Sequence, residues 1–124
     1  MPGRLRPLPP AELAALLTRY DEARRSAKPP QVEDERRAVQ HFLAVLEQRH
    51  PGRSVEVRVP PYAAVQCIEG ARHTRGTPPA VVETDAVTWL GVARGRLDFA
   101  AGVRDGRVRA SGERSDLSRL LPLT

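Results

Sequence analysis

At 124 residues the chain has the length of one domain, with enough material to bury a modest core without disulfide or metal staples. A hydrophobic fraction of 40%, both charge signs spread along the chain, and no apolar run near the roughly 20 residues that span a bilayer exclude a transmembrane protein. The net charge of +5 and pI near 10.6 raise nucleic acid and anionic lipid surfaces as partners. The basic residues are scattered, however, with only Arg24-Arg25 and Arg36-Arg37 adjacent, and the five aromatics do not interleave with them as in single-strand binders. No specific nucleic-acid partner is expected.

The first stretch, MPGRLRPLPP, lacks the continuous apolar segment of a signal peptide and reads as a flexible Pro-rich leader over 1–10. Residues 11–124 read as a single domain. Cys67 is the only cysteine, which excludes an internal disulfide and suits a reducing cytoplasm. Pro10 and Glu12 fit the start of a helix whose stripe is Leu13, Leu16, Leu17 and Tyr20; Arg24, Arg25 and Lys28 close it before Pro29-Pro30. A second helix begins near Val32. Glu33, Asp34 and Glu35 load its first turn, Arg49 and His50 its last, and Val39, Phe42, Leu43 and Leu46 form the buried stripe before Pro51-Gly52.

The period then changes from 3.6 to 2. Val55, Val57 and Val59 alternate with Glu56 and Arg58, the pattern of a strand with one face on a core. Pro60-Pro61 interrupts the ladder, and Tyr62 to Glu69 resumes it with Ala63, Val65 and Cys67 on one face. Gly70 to Pro79 reads as a loop and Ala80 to Glu83 as a third strand. The expected sum is an α+β domain: a mostly antiparallel sheet of four to five strands with helices packed on one face.

The stretch from Thr84 to Leu123 carries the most punctuation. Asp85 is placed to cap a short helix whose Val87, Trp89, Leu90 and Ala93 cluster toward one side, closed by Gly95. Asp98 is placed to cap a second, Phe99 to Val103, closed by Gly106. A strand, Arg107 to Ser111, stops at Gly112. Ser115 and Asp116 then begin a last helix that presents Leu117, Leu120 and Leu121 at i, i+3 and i+4.

This order resembles the C-terminal half of the sterol-carrier-protein fold. The residues that carry the likeness are Gly95-Arg96-Leu97, the short Phe99-Ala100-Ala101 helix, the strand Gly106-Arg107-Val108-Arg109-Ala110-Ser111-Gly112 and the leucine-rich end. The run from Val55 to Val82, including RHTRGTPP, further resembles small bacterial members of the sterol carrier family. The resemblance implies an apolar cavity between sheet and helices, covered by the last helix and lined by Trp89, Leu90, Phe99, Val103, Leu117, Leu120 and Leu121. On pattern alone the same residues fill a core. Phe occurs only at 42 and 99 and Met only at position 1, fewer than in the family's larger members, which implies a smaller cavity.

Chemistry is sparse. No CxxC or HxxxH places metal ligands, His50 suits the negative end of its helix, and Cys67 on an interior strand face would need His73 nearby to act as a nucleophile. No Gly-x-Ser-x-Gly elbow is present. Arg72-His73-Thr74-Arg75-Gly76-Thr77-Pro78-Pro79 offers two readings. Arg72 and Arg75 grip a phosphate, carboxylate or lipid head group with their planar forks, or they pair with Glu69, Glu83 or Asp85 and pin the loop. The expected function is therefore non-catalytic binding or transfer of a lipid or other hydrophobic small molecule, with no cofactor and with transient contact to an anionic membrane surface. The alternative is an interaction module with a filled core and a protein partner, a role the resemblance also implies, since the same fold serves as an accessory domain in some isomerases and acetyltransferases.

Overall fold

The computed structural model describes residues 4–70, 80–112 and 114–124. The elements run α1 (Pro10–Arg25), α2 (Val32–Arg49), β1 (Val55–Val59), β2 (Ala63–Cys67), β3 (Ala80–Thr84), α3 (Ala86–Ala93), α4 (Phe99–Arg104) and β4 (Val108–Ser111), followed by one 3-10 turn, Ser118–Leu120. Proline at the first helical position and arginines in the last turn bound α1, and three acids in the first turn bound α2. Leu16 and Tyr20 of α1 are buried, as are Val39, Phe42, Leu43 and Leu46 of α2. Arg19 reaches across with a two-pronged grip on Asp34, 3.1 and 3.0 Å, which fixes the two helices against each other and holds the Asp34 carboxyl below its ordinary range.

The sheet has the order β2-β1-β3-β4. β1 pairs antiparallel with β2 (Val57 opposite Val65) and parallel with β3 (Val57 opposite Val82), while β4 returns antiparallel to β3 (Thr84 opposite Val108). The period-2 pattern sets the register: Val55, Val57, Val59, Val65, Cys67, Val82 and Val108 turn to the helices, and Arg58, Gln66, Arg109 and Ser111 turn to solvent. The result is the α+β, mostly antiparallel arrangement expected, with four strands.

Two elements differ from the expectation. Helix α3 is buried almost all round: Ala86, Thr88, Trp89, Leu90, Val92 and Ala93 are enclosed, and Val87 faces solvent at 42% exposure. Val92, not Val87, therefore completes its inner surface. The last helix does not form. Asp116 accepts from the Ser118 backbone N–H (2.9 Å) and hydroxyl (2.5 Å), Leu120 N–H closes a single turn on Leu117 carbonyl, and Pro122 forbids continuation by biasing Leu121 to extended backbone. The segment is held by Leu117 and Leu123, both buried, and by the Leu123 N–H donating to the Ala93 carbonyl at 2.7 Å.

Residues 4–9, within the stretch read as a flexible leader, lie against the helices. Leu5 and Leu8 pack on the core, and the Leu8 N–H donates to His41 Nδ1 at 2.8 Å. That bond requires neutral His41 with its proton on Nε2. Burial acts in the same direction by pushing the His41 pKa down.

Candidate functional site

The clefts of interest surround α4. Asp98 caps this helix by accepting from the Ala101 N–H at 3.0 Å. Gly102 then lets it press onto β4: a Cβ there would lie 2.9 Å from Val108 Cγ2. Because the helix is short and sits so close, it leaves an open cleft on each side. One, about 370 Å³, runs between α4 and the sheet edge and is lined by Phe99, Ala100, Val103, Arg104, Ala110, Ser115 and Asp116. The other, about 280 Å³, lies between α3 and the C-terminal tail and has mixed walls: Val92, Leu97, Phe99, Leu121 and Pro122 beside Arg96, Asp98 and Ser118. Phe99, 5% exposed, belongs to both. Each cleft is near the lower end of the range usual for small-molecule sites, roughly 300–1,000 Å³.

The residues expected to line a cavity fall into three groups. Trp89, Leu90 and Leu117 are almost wholly enclosed and pack in the core; the Trp89 indole N–H donates to the Val39 carbonyl at 3.3 Å. Phe99 and Val103 meet in the first cleft, where Val103 is 38% exposed. Leu121 lines the second, and Leu120 is half-buried on the 3-10 turn. Arg72 and Arg75 lie outside the described residues. Leu97, Ala100, Ala110 and Pro122 were not read from sequence as cavity-lining residues. They come from four separate segments: Ala100 and Ala110 meet across the α4–β4 contact that Gly102 permits, and Leu97 and Pro122 meet in the cleft beside the C-terminal tail.

Reactive groups are few among the described residues. Cys67 is enclosed, and burial pushes its thiol up to about 12, reinforced by the negative charge of Glu47, so it is an inert small apolar residue here. Tyr62 donates to Glu35 Oε1 at 2.8 Å; desolvation, then this bond, raise its pKa to about 12. A third cleft, about 430 Å³, carries Glu83 and Asp85 beside Arg107 and Arg109, a mixed-sign lining that selects no single charge. No helix of the described residues is long and apolar enough to cross a membrane.

A fourth cleft, about 150 Å³, opens between α1 and α3. Here Asp21 is clamped by Arg94 at 2.8 and 2.8 Å and by Arg96 at 3.3 and 3.4 Å. The Arg94 hydrogen bonds, with the positive charge of both arginines, hold the Asp21 carboxyl at about 2 against the opposing effect of burial. This clamp ties the start of the chain to the α3–α4 connection.

No curated protein matches the chain. Residues 31–123 match the family described as bacterial SCP ortholog. The match begins one residue before α2 and runs through the sheet, α3, α4 and the C-terminal tail, so it contains the whole of the α4 surround. On that coverage, three quarters of the sequence, the chain belongs to this family of sterol-carrier-like bacterial proteins.

Proposed function

We propose that the protein is a non-catalytic, cytoplasmic carrier of a hydrophobic small molecule, such as an acyl chain, held in the clefts that flank α4. The observation that carries the reading is the position of Phe99. It is a rigid apolar wall shared by two open clefts, so a flexible chain bends round it and buries surface on both sides, at about 25 cal/mol per Å². Arg104 at the rim of the larger cleft supplies a cation for a polar head and for transient contact with an anionic bilayer. Family membership supports the same class of ligand.

A second reading, an interaction module without a ligand, is favoured by the filled packing around Trp89, Phe42 and Leu117. The two separate in one experiment. Native mass spectrometry of the purified protein, followed by lipid analysis after denaturation, is paired with uptake of a fluorescent fatty acid. A discrete added mass that leaves on denaturation, and uptake abolished in Val103→Glu without change in melting temperature, is the expected result. A bare chain mass with no uptake by the wild type overturns the carrier reading in favour of the module.

A further inference from the structure

Tyr20 is 3% exposed, and among the described residues its hydroxyl is the one buried side-chain polar atom without a hydrogen-bond partner. Such an orphan costs the folded state the hydration of that group, so what the pocket lacks is informative. An inventory of the surroundings identifies it. Arg24 lies beside the phenol, and a guanidinium can only donate, so it leaves the phenol O–H without an acceptor. Both oxygens of Asp21 already accept from Arg94 and Arg96. The Oε1 of Glu35 accepts from Tyr62. The phenol O–H therefore faces the Arg24 donors and an Asp21 carboxylate taken up by Arg94 and Arg96, while Glu35 is turned to Tyr62, and the missing partner is an acceptor. The cleft wall bears three guanidiniums, on Arg24, Arg94 and Arg96, against the single carboxylate of Asp21, so its charge favours an anionic one.

We infer that this cleft is a binding site for a small oxyanion, a carboxylate or phosphate group, whose oxygen accepts from the Tyr20 hydroxyl while Arg24 and Arg96 donate to the others. The volume of about 150 Å³ admits a group of that size and little more. Asp21 keeps Arg94 in place at the back of the cleft, and Leu90 forms an apolar wall that lowers the local dielectric and strengthens each charge-assisted bond. Arg24, exposed at the rim, turns with the incoming oxygen. The site shares only Arg96 with the smaller α4 cleft and does not depend on the carrier reading.

The test uses the full chain and amide NMR titration with inorganic phosphate, acetate and decanoate, each against sodium chloride at matched ionic strength. Saturable shifts confined to residues 20–24 and 90–96 are expected. They weaken at least tenfold in Tyr20→Phe, which removes the hydroxyl while keeping the ring, and also weaken in the exposed-site variant Arg24→Gln. A tighter response to decanoate than to acetate identifies a lipid carboxylate as the natural occupant; phosphate binding tighter than both carboxylates identifies a free or esterified phosphate. An unchanged spectrum with every anion, meaning that only water satisfies the phenol, overturns the inference, as does binding that Tyr20→Phe leaves intact.

Discussion

Helix α2 and the tail from 115 to 124 bear apolar residues at the same helical spacing and fold differently. In α2, Val39, Phe42, Leu43 and Leu46 repeat within 18 residues that begin with three acids and end with an arginine, and all four are buried along one stripe. In the tail, Leu117, Leu120 and Leu121 repeat once, and Pro122 stands where the next turn would form. One turn of helix fixes more backbone than its hydrogen bonds reward. The tail instead sets Leu117 and Leu123 into separate slots and leaves Leu120 and Leu121 half-buried. An i, i+3, i+4 pattern thus marks a helix only when the chain has length to nucleate and no proline in the next turn.

The sharpest way to break this contrast is alanine replacement read by urea unfolding. Leu43→Ala, at the centre of the continuous stripe, is expected to cost about 3–5 kcal/mol, and Leu117→Ala, an isolated anchor, about 2–3 kcal/mol. Leu121→Ala should cost under about 1 kcal/mol, since the side chain is already half in water. Equal losses at 117, 120 and 121 would instead reveal a helix in solution.

Next in size is the clamp that joins the two regions. Asp21 has its folded-state pKa depressed, from 3.8 to about 2, so it contributes stability above pH 4 that is lost as pH falls from about 4 to about 2. With the side chains of Asp21 and Arg94 only 18% and 11% exposed, the contribution is about 2 kcal/mol. Unfolding measured from pH 6 to pH 2 should show that loss in the wild type, and Asp21→Asn should remove the clamp's share of it, leaving the slope from Asp34, which Arg19 also holds down. A wild-type curve flat across this window would mean the clamp is solvated. A smaller effect than the clamp's is expected of Asp98→Ala, about 1 kcal/mol for the lost cap, detected as faster amide exchange at Ala101 with α2 unaffected.

How much of this was legible follows the same division. Strand alternation at Val55–Val59, the acidic start of α2 and the caps at Asp85 and Asp98 are local devices, and each of them reads directly from neighbouring residues. The inner surface of α3 did not read locally, because a helix enclosed on nearly all sides has no polar face to orient it, and Val87 and Val92 are chemically alike. The α4 clefts and the Tyr20 cleft were hidden for a further reason. Their walls come from elements far apart in sequence, as Tyr20 and Arg94 do, and no spacing rule connects them.

The single tryptophan gives the joint between α2 and α3 an optical signature. Trp89 is 1% exposed and its indole is bonded to Val39, fifty residues earlier in the chain. Its emission should be blue-shifted while α3 stays docked and should move to the red when water reaches the ring. Trp89 lines neither cleft system, so occupying either should leave the colour unchanged. Fluorescence then counts folded molecules without a label, independently of whatever the clefts contain.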